Sequence, residues 1–308
     1  MRRRLGCGWG KKMPRYYSCD HKPVELLAGL AETACPCCGE SSSRTIGQDN
    51  GFAVVKCRAE DCGMVYVNPR PTPQGLKEFY RTYYPEQADV SDRWEDEMHL
   101  IFDEVCDWMM QGRNAPGDVL DVGCSYGHFL SNAARRGWRT TGIEPSPGAA
   151  AMARNLTGGP VQECGIESAE LTPGSFDAVV SLYVLEHVPD PRSVIKRIYD
   201  VLLPSGQAII RVPYAEPFMP FFKLLRRPLM LAPMHLNDFS PKVMSRIGRE
   251  VGFSRIEVEV GCPRRSSDMV ERVGAFVLGN AAKFAESCSR GRLLLPLAGA
   301  FSYRLWKS

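Results

Sequence analysis

Nowhere in the 308-residue sequence does an uninterrupted apolar run approach the roughly eighteen residues that a membrane-crossing helix needs. Nor does an apolar stretch follow the basic Arg2-Arg3-Arg4, so a secretory leader is not expected and a cytoplasmic protein is. Excess charge of either sign is scarce: 38 Lys and Arg against 35 Asp and Glu leave a formal net charge of +3. That balance is too weak to imply nucleic acid or anionic lipid as a partner, and the basic first segment reads as a solvated tail. The G-x-G-x-x-G fingerprint of nicotinamide enzymes is missing too, because the glycine turn that follows a strand runs Gly123-Cys124-Ser125-Tyr126-Gly127.

Cysteine, by contrast, is plentiful, and it is concentrated. Cys7, Cys19, Cys35, Cys37, Cys38, Cys57 and Cys62 all precede residue 63, which argues for metal binding over an oxidised scaffold. Cys35, Cys38, Cys57 and Cys62 form C-x2-C-x18-C-x4-C, and Gly39 and Gly63 close the two pairs so that each knuckle can turn towards an ion. Four thiolates suit Zn²⁺ in a structural role, since no position is left open for water. Cys37 could replace Cys35 or Cys38, or sit beside the metal. The apolar runs 52–56 and 64–67 read as short strands, which makes the unit a zinc ribbon, and a unit so small needs the metal to fold.

The chain is organised around residues 118–130. Val119, Leu120 and Val122 make a buried strand, Gly123 and Gly127 a tight turn, and Phe129, Leu130, Ala133 and Ala134 recur at helical spacing. Backbone lacking a Cβ can approach a ligand closely, and the first N–H groups of the helix point at it. A second strand, 139–143, ends at Glu144 about twenty residues after the first glycine, where a carboxylate can accept both hydroxyls of a ribose. Further elements follow in alternation: helix 147–156, strands 160–163 and 176–182, helix 191–203 and strand 206–212. Such alternation requires a mostly parallel sheet covered on both faces, with ligands beyond the carboxyl ends of its strands.

Val119-Leu120-Asp121-Val122-Gly123-Cys124-Ser125-Tyr126-Gly127-His128-Phe129-Leu130, the acidic Gly142-Ile143-Glu144-Pro145-Ser146, residues 176–188 and residues 202–210 together resemble the class I S-adenosylmethionine (SAM) dependent methyltransferases. With the ribbon, Val67-Asn68-Pro69-Arg70-Pro71 and the aromatic run 79–84, the resemblance extends to a bacterial group carrying an N-terminal zinc ribbon and covers residues 35 to about 260. It implies a Rossmann-like, doubly wound, mostly parallel α/β sheet of seven strands, the last antiparallel, and transfer of the sulfonium methyl group of SAM to an O, N or C nucleophile. On the same footing, Gly123, Ser125 and Gly127 would line the methionine end of SAM, and Asp121 would orient the turn and the amino group. Glu144 would take the ribose, Gly165 and Ile166 would flank the adenine, and Ser181 and Tyr183 would complete the contacts. Ser125 stands where many members of the family have glycine.

Two histidines are candidate catalytic bases, because an imidazole titrates near neutrality. His187 follows the fourth strand beside Glu186, and His235 leaves the apolar, proline-punctuated stretch 217–234. That stretch is expected to be a substrate lid, with a membrane-surface contact there or in the C-terminal tail as the competing reading, since Arg226 and Arg227 accompany the apolar residues. Helices are expected over 90–112, with one apolar face, and over 241–251, a strand over 255–260, and a closing antiparallel strand over 269–278. A short helix is expected within 23–31. The boundaries that follow are a lead-in over 1–34, the ribbon over 35–72, a helical linker and lid over 73–115, the SAM-binding domain over 116–280 with its insertion at 213–238, and a tail over 281–308.

The expected acceptor is a small molecule or a glycan- or lipid-linked precursor. An RNA methyltransferase is the first competing function, but Arg44, Lys56, Arg58 and Arg70 are interleaved with Glu40, Asp49, Glu60 and Asp61, so no basic track emerges. A non-catalytic SAM-binding scaffold is the second.

Overall fold

The computed structural model describes residues 29–76, 88–262, 281 and 299–308. It begins with five short strands: β1 (Leu30–Ala31), β2 (Ser43–Asp49), β3 (Phe52–Cys57), β4 (Val65–Val67) and β5 (Arg70–Pro71). The hairpin between β2 and β3 turns on Asn50 and Gly51, both in the left-handed region at φ 49° and 86°. Two such residues give the twist that matches flanking strands, and Asn-Gly supplies it at low cost. β1 pairs antiparallel with β5, so Leu30 and Ala31 are strand, not the end of the helix expected over 23–31, whose other residues lie outside the described ones. An extended partner at β5 decides the matter where local propensity favoured a helix.

The large sheet follows. Its elements are α1 (Ala88–Met110), β6 (Asp118–Val122), α2 (His128–Arg135), β7 (Arg139–Ile143), α3 (Pro147–Thr157), β8 (Val161–Gln162), β9 (Phe176–Leu182), α4 (Pro191–Val201) and β10 (Leu202–Pro213). Proline at the first helical position starts both α3 and α4, and Asp190 caps α4 by accepting from the Ser193 amide. α1 buries Met98, Ile101, Phe102, Val105, Trp108 and Met109 in one cluster with Val119, Val180 and Ile209 of the sheet, the apolar face expected of it.

After β10 come a 3-10 turn (Glu216–Phe218), α5 (Met219–Leu224), β11 (Asn237–Asp238), α6 (Pro241–Val251), β12 (Arg255–Glu259) and β13 (Ala300–Trp306). Among the described residues the sheet order is β12-β13-β10-β9-β6-β7-β8, seven strands of which β13 alone runs antiparallel to its neighbours. The chain winds outward from β6 through β7 to β8 and returns to β9 on the other side of β6. The order therefore reverses between β6 and β9, the place where such sheets bind ligands.

The antiparallel strand is present but lies later than expected. Residues 269–278 are outside the described ones, and Ala300–Trp306 takes the position between β10 and β12. Residues assigned to a tail thus sit inside the sheet, with Phe301, Tyr303 and Leu305 buried. The alternation of Ala, Ser and Arg with aromatic and aliphatic residues in 300–306 is a strand pattern. The apolar run 293–297 and the tyrosines of 79–84, expected to form a lid, lie outside the described residues.

A second sheet joins the ribbon to a segment some 170 residues later in the chain. Its order is β11-β4-β3-β2, so the edge strand of the ribbon is supplied by residues after the 217–234 stretch. Phe52, Val54, Val65 and Val67 of the ribbon share a core with Met219, Leu229, Met230, Ala232 and Met234. Asp49 fastens the contact, because its carboxylate accepts hydrogen bonds from the amides of Met230, Leu231 and Ala232 at 2.8, 2.6 and 3.1 Å. Much of the stretch expected to be a lid is therefore packed on the ribbon. Phe221, Leu224 and Leu225 remain exposed beside Arg226 and Arg227. Among the described residues no helix is long and apolar enough to cross a membrane.

Candidate active site and metal centre

The turn after β6 is stitched to the end of β7. The amides of Gly123 and Cys124 both donate to the Ile143 carbonyl, at 2.8 and 3.0 Å. The Glu144 carboxylate accepts from the Ser125 amide at 2.9 Å and, through its other oxygen, from the Ser146 amide at 2.8 Å. Gly123 and Gly127 both have positive φ, 75° and 85°. A Cβ on Gly123 would meet Val184 at 2.5 Å, and one on Gly127 would meet the backbone of Ala153 at 2.9 Å, so glycine is required at both on grounds of space as well as conformation. Ser125 takes φ 49°, a left-handed conformation that costs a non-glycine residue about 1–2 kcal/mol.

Asp121 lies just below this turn and is buried. Burial, reinforced by the negative charge of Glu144, pushes its carboxyl up to about 8. Burial also raises Glu144, against the pull of its two amide donors. Two buried acids beside a glycine turn and a helix N-terminus suit a ligand that brings positive charge and hydroxyl groups.

The other expected cofactor residues are placed less uniformly. Tyr183 follows β9 with φ 59°, and its hydroxyl accepts from Arg211 Nε at 2.9 Å. Ser181 is the last-but-one residue of β9, buried, with a hydroxyl that lacks a partner among the described residues. Gly165 and Ile166 follow β8; Ile166 belongs to the buried core with Val122 and Ile143, and Gly165 has no positive φ. His128, at the start of α2, is buried with its ring edge-on to Tyr126, a packing position beside the turn.

On the far side of Val184 a second group of polar residues converges. The loop 185–188 is clamped by β11: the Leu236 and Asn237 amides donate to the Glu186 carbonyl at 2.6 and 3.2 Å, and the Asn237 side chain donates to the Val188 carbonyl at 2.7 Å. One ligand-type atom from each of Glu186, His187 and His235 lies within 4.8 Å of the others. The imidazole rings meet edge to face at 4.9 Å, and His187 Nδ1 bonds the Met234 carbonyl at 2.9 Å. Burial pushes the Glu186 carboxyl up to about 8 and His187 down to about 4. His235 falls well below the usual range, through burial and then the neighbouring His187. The structure thus brings the two candidate histidines together.

In the ribbon, Cys35, Cys38, Cys57 and Cys62 place their sulfurs within 4.8 Å of one another, with Cys35–Cys62 and Cys38–Cys57 each at 3.6 Å. Tetrahedral ligation with Zn–S near ~2.3 Å calls for sulfurs about 3.8 Å apart, so the four fit that ion. The Ala59 amide donates to Cys57 Sγ at 3.4 Å, as expected of a knuckle that stabilises a thiolate. Cys37 is buried beside them, and its carbonyl accepts from Arg192 at 2.7 Å.

Sequence reasoning missed Asp49, Asn237 and Arg211. Asp49 looks like an ordinary hairpin residue, and only the fold shows the amides of 230–232 above it. Arg211 is fully buried in β10, where it binds the Tyr183 hydroxyl, Ser302 Oγ at 2.8 Å and the Cys262 carbonyl at 2.7 Å. An arginine within the apolar run 208–212 was the available signal, because a buried charge must be fully bonded.

A family model described as a methyltransferase domain matches residues 87–258. The ubiquinone biosynthesis O-methyltransferase of Pseudomonas aeruginosa is 31% identical over 183 residues, 53% of this chain and 79% of that protein. The corresponding protein of Dechloromonas aromatica is 32% identical over 188 residues, 56% of this chain and 81% of that one. Among solved structures, Haemonchus contortus phosphoethanolamine N-methyltransferase 2 in complex with SAM is similar, with a TM-score of 0.51 and 18% identity over 78% of this chain and 62% of that one. The Burkholderia thailandensis 1,6-didemethyltoxoflavin-N1-methyltransferase has a TM-score of 0.50 and 16% identity over 87% of this chain and 99% of that one. At these identities the structural likenesses speak for the fold.

Proposed function

The chain belongs to the class I SAM-dependent methyltransferases, and on that premise we propose that it methylates a hydroxyl oxygen of a small molecule. The observation that supports the reading best is the stitched crevice at the ends of β6 and β7, where Glu144 spans the glycine turn and Asp121 lies beneath it. Gly123, Ser125 and Gly127 hold the methionine end, Asp121 faces the amino group, and Glu144 accepts the ribose hydroxyls through lone pairs left after its two amide bonds. Ile166, Gly165 and Tyr183 bound the rest of the cofactor.

SAM supplies a methyl carbon already activated by sulfonium, so alignment and exclusion of water are the main work left to the protein. The acceptor oxygen forms the new bond to carbon as the carbon–sulfur bond breaks, and the hydroxyl proton leaves to solvent. His187 and His235 wall the acceptor side as neutral imidazoles. With His187 held at about 4, these rings orient an acceptor better than they take its proton. Oxygen is favoured as the acceptor atom because the relatives with about one third identity are O-methyltransferases. Exposed Phe221, Leu224 and Leu225 next to Arg226 and Arg227 would suit a lipid-linked acceptor held at an interface. Zn²⁺ in the four-cysteine cluster holds the ribbon.

Incubation with methyl-labelled SAM and fractionated extract tests the reading. Label is expected in a low-molecular-weight product, and partition into organic solvent identifies a lipid-linked acceptor; label confined to RNA would overturn it. A linked pH prediction concerns Asp121. Its raised pKa, about 8, leaves it about 90% protonated at pH 7, and the positive charge of SAM favours the ionised form. Binding should release close to one proton per SAM at pH 7, seen by calorimetry in buffers of different ionisation enthalpy. The release should fade as pH rises past 8 and vanish in Asp121→Asn; a buffer-independent heat at pH 7 would contradict the assignment.

A further inference from the structure

We propose that Glu186, His187 and His235 form a binding site for a divalent first-row transition-metal cation, separate from the four-cysteine cluster, which takes the acceptor hydroxyl as a further ligand. The proposal rests on the methyltransferase reading for its chemistry and on geometry for the site. Two imidazoles and one carboxylate offer atoms within 4.8 Å of one another, a span that small side-chain shifts close onto one ion. Glu186 Oε1 lies 3.9 Å from His187 Nε2, a gap too long for a hydrogen bond, and a shift of about half an ångström brings it to the ~3.4 Å expected between two tetrahedral ligands of one metal.

Three further observations point the same way. Glu186 is 1% exposed, and its Oε2 has no hydrogen-bond partner among the described residues, a costly arrangement for a carboxylate unless a cation completes it. His187 bonds the Met234 carbonyl through Nδ1, which fixes the ring and presents Nε2 to Glu186, the outer support that metal-bound histidines ordinarily have. The backbone on both sides is rigidly held, since the Leu236 and Asn237 amides donate to the Glu186 carbonyl. Among the described residues, the groups around the trio are Asp238, buried nearby on β11, and the Asn237 side chain, whose Oδ1 also lacks a partner there.

A ligand set of two nitrogens and one oxygen suits Mn²⁺, Fe²⁺, Co²⁺ or Zn²⁺. The cation would lower the pKa of the coordinated hydroxyl, whose proton passes to solvent; the oxygen then forms its bond to the methyl carbon as the carbon–sulfur bond breaks. No side-chain base is needed.

Mn²⁺ is the probe, because thiolates bind it poorly and its free aquo ion has a strong paramagnetic resonance signal. Full-length protein with its ribbon loaded with zinc is titrated with MnCl₂, and SAM binding is measured on the same sample by calorimetry. Loss of signal equivalent to one Mn²⁺ per chain is expected, with at least a tenfold weaker Kd in Glu186→Gln and in His235→Asn and unchanged zinc content. His235→Asn is the control should Glu186→Gln misfold. SAM binding without loss of manganese signal up to 1 mM, or equal manganese binding in both variants, overturns the cation site and leaves the enzyme reading intact. Absence of SAM binding would overturn the reading on which the chemistry rests.

Discussion

Changing Glu144 to alanine is expected to weaken SAM binding by about 10²–10³-fold, because two charge-assisted hydrogen bonds to the ribose are lost at about 1.5–3 kcal/mol each, partly offset by water. The change also strips the Ser125 and Ser146 amides of their acceptor, and Ser125 already occupies a left-handed conformation. The turn itself should loosen. Glu144→Gln keeps an acceptor for one amide but loses the charge, so an intermediate loss is expected. Calorimetry with SAM measures both. A Kd for the alanine variant within threefold of wild type, on folded protein, would remove Glu144 from the cofactor site and with it the support for the crevice.

The second large effect concerns the ribbon. Exchange of Cys38 and Cys62 for serine together should release one metal ion per chain and unfold residues 35–67, since apparent zinc-binding energies of about 10–16 kcal/mol match or exceed the whole stability of an ordinary domain. The consequence should not stop at the ribbon. β11 pairs with β4, Asp49 holds the amides of 230–232, and the Met234 carbonyl holds His187. Displacement of an acceptor wall by about 1 Å is enough to cost about a hundredfold in rate. Methyl transfer should therefore fall at least that far, while SAM affinity changes less than about threefold because the hydrogen bonds that close the β6–β7 crevice, from the amides of Gly123, Cys124, Ser125 and Ser146, involve no ribbon residue. Metal analysis, calorimetry and turnover on the same preparation separate the two. Equal loss of SAM binding and turnover would show that the ribbon supports the whole domain.

Legibility from sequence followed the range of the forces involved. β6, α2, β7, α3, β9 and α6 were readable because each carries its own periodicity, glycine turn or cap, and the Gly123 turn and Glu144 could be placed together because they end adjacent parallel strands. The four cysteines were readable because metal ligation imposes local spacing. What escaped depends on contacts between distant segments. β11 is two residues long and carries no strand pattern; it exists because β4 has an unpaired edge beside it. Asp49 acquires its role from a segment some 180 residues later. The packing of 217–234 on the ribbon was not legible because apolar residues with proline and arginine look alike whether they will face substrate, lipid or another part of the chain, and here Met219, Leu229 and Met230 face the ribbon. The last strand was sought at 269–278, and the one that fills the gap beside β10 is 300–306.

The shared sheet also bears on how the molecule is made. Val67 leaves the ribosome about 170 residues before Asn237, which at synthesis rates of roughly 5–20 residues per second is an interval on the order of ten to thirty seconds. During it the ribbon can load its metal, but the apolar face of Phe52, Val54, Val65 and Val67 has no cover and the outer edge of β4 has no partner. A nascent chain with an open strand edge is exposed to pairing with its neighbours on the same message. Folding of the amino-terminal unit is completed only when the far side of the enzyme arrives to close it.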